Sequence, residues 1–395
     1  MSSHLAAQAP ATYREAATAL VLAYVNRAVA LSEEVAVPRT DIDTAMRLGC
    51  GLPEGPFETV ARLGVPQVHR ALTELWKETG DIAFAPAAAL LRPGIGRSSV
   101  HGSPVVPEPG PEVPPVGRLG ILGAGTMARG IAEAAALAGL PTLVVARGAD
   151  SARRARVGVD SSLDRAVRRG RATQRGAAEA MARLRFEADP ALLGDCDLVV
   201  EAVAEDEAVK REVFARLGAL CRPGTVLATT TSSLSVARCT EPAGRPERLV
   251  GLHFFNPAPL MRLVEFVPLP ETGVVATATA RSLCVQLGKT VVQSPDRSGF
   301  IVNYLLFPYL ARALRLAERT GIGPEALDTA IVDGHGFPMG PFALLDTIGL
   351  DVSLAILERL HGSFREPDFE PPQLLRRYLA EGCLGRKNRR GFRTA

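Results

Sequence analysis

The chain has 395 residues, enough for two or three domains with sizeable hydrophobic cores. Hydrophobic residues make up 47% of the chain and charged residues 22%, as in ordinary soluble globular proteins, and the net charge of +3 is spread too thinly to favour a nucleic-acid partner. No uncharged apolar run reaches about 18 residues, so we expect neither a transmembrane helix nor a membrane partner. The N-terminus lacks the pattern of a signal peptide, and the six cysteines are scattered without a CxxC pair. These features predict a cytoplasmic protein with reduced thiols and no metal site.

The first part of the chain, residues 1–95, has helical character and few strand signals. A proline-rich stretch follows it: residues 92–117 contain seven prolines and show no helical or strand period. We therefore predict a helical domain at 1–95 and a semi-rigid linker at 96–117.

Short apolar runs alternate with helical patterns in the next part of the chain, residues 118–297. The strand candidates lie in the segments RLGILGAG, PTLVVA, CDLVVEAVAE, TVLATTT, LVGLHFF and VEFVPLP. Alternation of this kind predicts a parallel, doubly wound sheet. From residue 298 to the end, the pattern is mainly helical. The predicted fold class is an α/β Rossmann-type doubly wound sheet domain flanked by two all-α helical domains, at 1–95 and 298–395.

An internal repeat links the two helical parts. Residues 41–64 and 326–349 are identical at 10 of 24 positions when shifted by 285 without gaps. Six of these matches are glycines or prolines, which chance does not readily align. We interpret the two parts as copies of one helical domain, one on each side of the sheet domain.

A glycine loop joins the first strand candidate of the sheet domain to its first helix candidate. Residues 123–128 fit the pattern G-x-G-x-x-(G/A), in which Gly123 permits a tight turn and Gly125 lets the backbone approach a pyrophosphate. The helix that begins here presents free N–H groups and the positive end of its dipole to phosphates. We therefore predict a dinucleotide cofactor and assign Gly123, Gly125, Thr126 and Met127 to its site.

A series of motifs in order gives the chain a specific resemblance to the 3-hydroxyacyl-CoA dehydrogenase family. They are LGILGAGTMARGIA (119–132), DLVVEAVAEDEAVKREVF (197–214), TTTSSLS (229–235), ERLVGLHFFNPAPLMRLVE (247–265), SGFIVN (298–303), GFPMGPFALLDTIGLD (336–351) and EGCLGRKNRRGF (381–392). The front part of the chain resembles the helical C-terminal domain of the same family. The resemblance implies oxidation of an (S)-3-hydroxyacyl-CoA to a 3-ketoacyl-CoA with a nicotinamide cofactor, NAD(P).

The resemblance also assigns site residues. The catalytic histidine of the family lies in an HFFNP motif, which matches His253, and its partner glutamate lies twelve residues later, which matches Glu265. The other matches are Ser232 and Asn303, which hold the substrate oxygen as part of the catalytic set, Asn256 for the substrate, and Glu205 and Lys210 beside the nicotinamide end of the cofactor. Imidazole suits the chemistry because it titrates near neutral pH and can take the hydroxyl proton, while a carboxylate on its other nitrogen fixes the tautomer.

The end of the second strand candidate bears on the choice of cofactor. In NAD-binding folds of this type, an acidic residue about 20 positions beyond the glycine loop binds the ribose 2′-hydroxyl. Ala146 stands at that position here, and Arg147 follows it. Alanine leaves room for a 2′-phosphate and arginine suits its charge, so we expect NADP(H) to be favoured over NAD(H). The alternative is a loop arginine that stacks on the adenine while NAD is still used.

Three other functions stay open at this point. A hydrolase would use Ser232, His253 and Glu265 as a triad, but the chain has no G-x-S-x-G elbow and the glycine loop would be unexplained. A non-catalytic nucleotide-binding scaffold would not need this set of polar residues. A dehydrogenase acting on an acyl-carrier-protein thioester would keep the same chemistry, since only the distant carrier differs from CoA.

The repeat also predicts how the helical parts assemble. Family members dimerise through the helical C-terminal domain, as the resemblance implies, so the front copy can take the place of a partner's domain. We predict that residues 1–95 pack against residues 298–395 as an intramolecular pseudo-dimer, and we leave a homodimer of whole chains open. No His/Glu pair accompanies the front copy, so we expect it to be non-catalytic.

Overall fold

The computed structural model describes residues 13–35, 37–92, 94–95 and 113–393. Most of the predicted linker, 96–117, therefore lies outside the described residues. The contacts divide the chain into two compact units: residues 103–300 carry a sheet, and residues 1–102 join 301–395 in a helical unit. Among the described helices, none combines the length and the apolar character that a membrane crossing needs.

The described residues of the front segment of the helical unit form four α-helices followed by two short 3₁₀ turns. Helices α1–α4 span Tyr13–Glu34, Arg39–Cys50, Pro56–Leu63 and Val65–Thr79, and the 3₁₀ turns span Ile82–Phe84 and Ala88–Leu91. Helix α2 is capped by Gly51, the residue after its last one, whose φ of +70° is a left-handed conformation that glycine adopts without strain. Helix α3 begins at Pro56, where the missing N–H costs no hydrogen bond. Local sequence thus sets where these helices start and stop.

In the described residues of the sheet unit, eight strands are combined with six α-helices. Strands β1–β8 span Leu119–Leu122, Thr142–Val145, Leu184–Glu187, Leu198–Glu201, Val226–Thr229, Leu249–Phe254, Leu263–Pro268 and Thr290–Gln293. Helices α5–α10 span Thr126–Leu137, Ala149–Arg168, Gln174–Ala182, Glu207–Leu220, Val236–Thr240 and Val274–Gln286. Val199 and Val200 belong to different hydrophobic clusters, because successive side chains of a strand point to opposite faces of the sheet.

The strand order is β3-β2-β1-β4-β5-β6-β7-β8, and every neighbouring pair except β6 and β7 is parallel. This arrangement confirms the predicted doubly wound, Rossmann-type sheet. The antiparallel step arises because only residues 255–262 join β6 to β7, fewer than the dozen or so that a parallel crossover requires. The order reverses at β1, so a crevice opens outside the carboxyl ends of β1 and β4.

The second segment of the helical unit repeats the first. Helices α11–α15 span Val302–Thr320, Pro324–His335, Pro341–Ile348, Leu350–Phe364 and Gln373–Ala380, and a 3₁₀ turn spans Pro367–Phe369. Adding 285 to the bounds of α2, α3, α4 and the Ile82–Phe84 turn gives the bounds of α12, α13, α14 and the Pro367–Phe369 turn. The predicted repeat is therefore confirmed at the level of secondary structure.

Hydrogen bonds inside the two copies repeat as well. Asp43 Oδ1 accepts the Phe57 N–H at 2.8 Å, and Asp328 Oδ1 accepts the Phe342 N–H at 2.9 Å. Each aspartate thereby ties one helix to the start of the next. The glycine two residues before each phenylalanine packs so closely against its aspartate that an added Cβ would overlap it. This close approach explains why both copies have glycine there.

Two ion pairs between the two copies are reciprocal. Helix α1 packs against α11 and α12. Arg27 Nη2 lies 2.7 Å from Glu366 Oε2, and Arg312 forms an ion pair with Asp81. The same shift of 285 relates Arg27 to Arg312 and Asp81 to Glu366. Reciprocal contacts of this kind characterise an interface with approximate twofold symmetry.

Two cation–π contacts and one tyrosine pair follow the same symmetry. The guanidinium carbon of Arg27 lies 4.4 Å from the ring centroid of Phe369, and that of Arg312 lies 5.4 Å from the ring centroid of Phe84. Phe84 and Phe369 are equivalent positions. Tyr24 and Tyr309 are equivalent to each other, and their ring centroids are 6.1 Å apart, as expected for residues beside a twofold axis.

The buried aspartate of the front copy gives a prediction about pH. Burial raises the pKa of the Asp43 carboxyl to about 7, against the opposing hydrogen bond from Phe57. Because the unfolded chain releases this proton near pH 4, the free energy of unfolding falls as pH rises from about 4 to about 7. We expect Asp43→Asn, which keeps an oxygen acceptor for Phe57, to melt above the wild type at about pH 8, with the difference vanishing near pH 4.

Thermal melts across this pH range measure the effect. Asp328→Asn is the matched control, because Arg393 Nη1 lies 3.5 Å from Asp328 Oδ2 and partly offsets the cost of that charge. Its gain at about pH 8 should therefore be smaller. A difference between Asp43→Asn and the wild type that does not change with pH would contradict the prediction.

Candidate active site

The candidate site lies along the carboxyl edge of the sheet. Glu201, Thr229 and Gly251 occupy one row across β4, β5 and β6. Ser232 follows Thr229 by three residues, and His253 follows Gly251 by two. Because these strands are parallel, residues at their carboxyl ends come to the same edge of the sheet.

His253 and Glu265 form a buried pair. They are direct partners on the antiparallel strands β6 and β7, and His253 Nδ1 lies 2.6 Å from Glu265 Oε2. Their side chains are only 7% and 0% exposed. A carboxylate can only accept a hydrogen bond, so Nδ1 carries the proton and donates it. The spacing of twelve residues in the sequence is therefore the spacing of directly opposed residues in a hairpin.

Two phenylalanine rings pack against the imidazole. The ring centroids of Phe255 and Phe300 lie 4.5 and 5.4 Å from that of His253. Phe300 is fully buried and has a φ of +50°, a left-handed conformation that costs about 1–3 kcal/mol in a residue other than glycine. The surrounding packing therefore holds Phe300 against His253 at an energetic cost.

Glu205 organises the serine loop that follows β5. Its Oε1 accepts hydrogen bonds from Thr231 Oγ1 at 2.8 Å, from Ser232 N at 2.8 Å and from Ser232 Oγ at 3.0 Å. Burial acts to raise the pKa of Glu205, but the Lys210 charge and these hydrogen bonds lower it below its ordinary value. The ionised carboxylate therefore directs the hydroxyl proton of Ser232 toward itself.

Lys210 lies in α8 but is only 1% exposed. Its Nζ lies 2.8 and 2.9 Å from the two carboxylate oxygens of Glu201 and 3.5 Å from Glu205 Oε2. Sequence reasoning missed Glu201, which is completely buried at the end of β4. The available signal was a single carboxylate that ends the apolar run LVVE, since a buried charge requires a partner.

A cleft of about 590 Å³ opens where the strand order reverses, and Gly123, Gly125, Ala146 and Arg147 line it. Gly123 has a φ of +140° and lies so close to the Ala202 carbonyl that an added Cβ would overlap it. A Cβ added at Gly125 would meet nothing within 4 Å. Open space therefore faces the N-terminus of α5, and this geometry fits the pyrophosphate of a dinucleotide.

The two remaining residues of the predicted loop set have different surroundings. Met127 is half-buried and packs against the core of the sheet, whereas Thr126 is exposed. Thr126 lines a second cavity, of about 360 Å³, together with Asn256, which follows β6. Four arginines also line this cavity and outnumber its one carboxylate, Glu133; they are Arg129, Arg165, Arg169 and Arg171. The second cavity is therefore positively charged.

Asn303 belongs to the helical unit, unlike the other predicted site residues. It lies in the first turn of α11 and is 8% exposed. Its role stays a prediction. In the part of the chain that the structure describes, no group of three or more His, Cys, Asp or Glu side chains is placed to hold a metal ion.

Comparison with known proteins shows a family relationship along most of the chain. Residues 118–297 match the family described as 3-hydroxyacyl-CoA dehydrogenase, NAD binding domain. Residues 16–93 and 299–395 both match the one described as 3-hydroxyacyl-CoA dehydrogenase, C-terminal domain. A 3-hydroxybutyryl-CoA dehydrogenase of Mycobacterium tuberculosis is 43% identical over 279 residues, which are 70% of this chain and 98% of the relative.

Further relatives agree with this result. The mitochondrial hydroxyacyl-coenzyme A dehydrogenase of Rattus norvegicus is 37% identical over 279 residues, which are 69% of this chain and 89% of the relative. The crystal structure of Mycobacterium tuberculosis FadB2 matches 71% of this chain and 100% of its own, with 42% identity and a TM-score of 0.70. That of (S)-3-hydroxybutyryl-CoA dehydrogenase from Ralstonia eutropha matches 71% and 99%, with 34% identity and a TM-score of 0.67. The chain therefore belongs to the 3-hydroxyacyl-CoA dehydrogenase family and carries two copies of its C-terminal domain.

Proposed function

We propose that this chain is a dehydrogenase that interconverts (S)-3-hydroxyacyl-CoA and 3-ketoacyl-CoA with a nicotinamide cofactor. The observation that carries the proposal is the buried His253–Glu265 pair at the carboxyl edge of the sheet, in the unit whose glycine loop fits a dinucleotide. The relatives named 3-hydroxybutyryl-CoA dehydrogenase and hydroxyacyl-coenzyme A dehydrogenase support the same substrate class.

Different residues of the chain have different roles in the reaction. The nicotinamide, when bound, supplies the hydride acceptor for oxidation and the hydride donor for reduction. His253 takes the proton of the 3-hydroxyl at Nε2, because Nδ1 is engaged by Glu265, and it returns a proton there in the reverse direction. Glu265 fixes the tautomer and stabilises the imidazolium that forms. Ser232 binds the substrate oxygen and Asn256 contributes to substrate binding. For Asn303, the same role is what the family resemblance implies.

We favour NADP(H) over NAD(H) as the cofactor. Ala146 and Arg147 line the cofactor cleft, and so does Ser151 in the first turn of α6. A neutral side chain, a guanidinium and a hydroxyl suit a 2′-phosphate, whereas a carboxylate would repel it. The matched domain is described as NAD binding, so both cofactors need to be compared.

The decisive measurement is kcat/KM for NADPH and for NADH in the reduction of acetoacetyl-CoA. We expect the wild type to prefer NADPH and Arg147→Ala to lower kcat/KM for NADPH about tenfold, the typical effect of losing a hydrogen bond to a charged group. Use of NADH should be nearly unchanged. Arg153→Ala is the control, because Arg153 is 71% exposed on α6 and is paired with Asp150. A preference for NADH, or unchanged NADPH use in Arg147→Ala, would reject the proposal.

The arginine-lined cavity supports CoA as the carrier of the acyl group. Its guanidinium groups suit the phosphates of CoA, and Asn256 lies in the same cavity. The alternative carrier is an acyl carrier protein, which keeps the same thioester and hydroxyl. Assays with acetoacetyl-CoA and with the matching acyl-carrier-protein thioester distinguish the two carriers. A chain that reduced neither would instead support a non-catalytic nucleotide-binding scaffold.

We also propose that the helical unit is an intramolecular pseudo-dimer of two C-terminal domains. Its boundaries would be 1–95 for the front copy and 298–395 for the second copy, with the linker at 96–117 and the cofactor domain at 118–297. The reciprocal ion pairs of Arg27 and Arg312 support this assembly. The front copy is non-catalytic, since Thr18 stands at the position equivalent to Asn303 and no His/Glu pair accompanies it. A homodimer of whole chains stays open to sedimentation measurements.

A cytoplasmic location completes the proposal. The six cysteines are free thiols in the structure. Five of them are buried, and free thiols are the usual state of cysteine in reducing compartments.

A further inference from the structure

We propose that Glu201 is a positioning residue for the reaction, and that it acts on the substrate-binding Ser232 through Lys210 and Glu205. The inference rests on the function proposed above. The four side chains come from separate segments of the sheet unit: the end of β4 and the loop after it, helix α8, and the loop after β5. They meet at the carboxyl edge of the sheet in one continuous network of hydrogen bonds and ion pairs.

Glu201 is held rigidly at the buried end of this network. Its Oε1 accepts the Val203 N–H at 2.7 Å, and its Oε2 accepts Thr229 Oγ1 at 2.7 Å. Both oxygens also receive the Lys210 ammonium, at 2.8 and 2.9 Å. With each carboxylate oxygen bonded twice and no exposure to solvent, Glu201 has a single orientation.

Lys210 transmits that orientation to Glu205. Its Nζ is 3.5 Å from Glu205 Oε2, clearly farther than from Glu201. Glu205 therefore presents one oxygen to the cation and keeps the other, Oε1, for the serine loop, where it accepts from Thr231 Oγ1, Ser232 N and Ser232 Oγ, with Ser233 Oγ at 3.4 Å. The position of Ser232 Oγ depends on this division between the two oxygens, because Ser232 N holds the loop on Glu205 Oε1. A 3-keto oxygen only accepts hydrogen bonds, so the Ser232 hydroxyl holds it by donating its proton from that position.

Loss of the Glu201 charge would end this separation of roles between the two carboxylate oxygens of Glu205. A buried ammonium requires a counter-ion, and Glu205 is the carboxylate that Lys210 already contacts. The ammonium would then approach Glu205 and compete with Ser232 for it. Neighbouring groups do not replace Glu201: Glu207 of α8 is paired with Arg238 at 2.8 Å, and burial raises the pKa of the Cys239 thiol of α9 to about 12, so that thiol stays neutral.

A double-mutant cycle tests the inference. We expect Glu201→Gln to lower kcat for acetoacetyl-CoA reduction about tenfold, the typical effect of one misplaced hydrogen bond to a charged group, while KM for the cofactor changes less than about threefold. In a Ser232→Ala background, the same substitution should have less than about a twofold effect, because its target is already gone. A purely structural role of Glu201 would give equal losses in both backgrounds.

Two valine substitutions in or beside one strand provide a second variant and its control. Thr229→Val removes the hydroxyl that holds Glu201 Oε2 without removing a buried charge, so it keeps the test possible if Glu201→Gln does not fold. Thr225→Val makes the same change at the other end of β5, where Thr225 Oγ1 donates to the Cys196 carbonyl at 2.8 Å. We expect Thr229→Val to lower kcat about threefold, and only with Ser232 present, and Thr225→Val to leave kcat unchanged.

The outcomes separate the inference from the function on which it rests. A wild-type chain that reduces acetoacetyl-CoA, together with losses confined to chains that carry Ser232, supports both. Equal losses with and without Ser232, or equal effects of Thr225→Val and Thr229→Val, overturn the inference and leave the function standing. A crystal structure of Glu201→Gln with Ser232 Oγ still 3.0 Å from Glu205 would also overturn the inference. An inactive wild type overturns both.

Discussion

Replacing His253 by alanine is expected to lower kcat for acetoacetyl-CoA reduction about 100- to 10,000-fold, the range for loss of a general acid–base group. The imidazole is buried at the carboxyl edge of the sheet, and its Nδ1 is fixed by the Glu265 carboxylate 2.6 Å away. Its Nε2 is therefore left to exchange a proton with the substrate. Steady-state kinetics with purified protein measure the effect. The melting temperature is measured alongside, because the substitution also leaves the fully buried Glu265 without this partner, and kcat is compared between folded proteins.

Two further variants separate chemistry from packing at the same site. His253→Asn keeps an amide N–H close to the position of Nδ1, so it can still donate to Glu265 while lacking a titratable group, and it should be as inactive as His253→Ala. Glu265→Gln should impair kcat less, since the imidazole remains but loses its counter-charge. His69→Ala, in α4 of the front copy, is the control that should keep full activity. A His253→Ala chain with the kcat of the wild type would remove His253 from the mechanism.

The second large effect is expected from Arg312→Ala, which should lower the free energy of unfolding of the helical unit by about 3 kcal/mol. The side chain of Arg312 is only 10% exposed and is paired with Asp81 of the front copy and Asp368 of the second copy. Removing the guanidinium leaves two largely buried carboxylates without this partner. The free energy lost through these uncompensated charges exceeds the net stabilisation that the intact ion pairs contribute. The stack of the guanidinium on Phe84 is lost as well.

Urea denaturation, monitored by tryptophan fluorescence, measures the free energy of unfolding of the helical unit. Trp76 is the single tryptophan of the chain and lies in α4. Arg27→Ala, the equivalent change in the front copy, should cost less, because its nearer partner Glu366 is 43% exposed and its second partner, Asp368, keeps its ion pair with Arg312. Arg376→Ala removes a pair with both members about half exposed and should cost less than about 1 kcal/mol. An Arg312→Ala chain as stable as Arg376→Ala would show that the ion pairs between the copies contribute little.

The features that could be predicted from the sequence are encoded within one element or between adjacent elements. The glycine loop could be recognised because strand, turn and helix are contiguous, and each glycine answers a local need for a positive φ or open space. His253 and Glu265 are paired by the family resemblance, and the short connection between β6 and β7 explains the fixed spacing, because the register of a hairpin is local. The repeat could be recognised because the residues that begin and end the helices recur in both copies at a constant shift of 285.

The identity of the charged residues that are buried together could not be predicted from the sequence, because it depends on the packing of distant elements. Lys210 has the sequence context of a solvated helix lysine, and its partner Glu201 lies at the end of a different element, so no local period could join them. Arg312 and Asp81 are separated by 231 residues. The reason is physical: whether a charge is buried, and which partner compensates it, depends on the desolvation and Coulomb terms of several packed elements together. Those terms are set by strand order and helix packing, which the local pattern of residues does not specify.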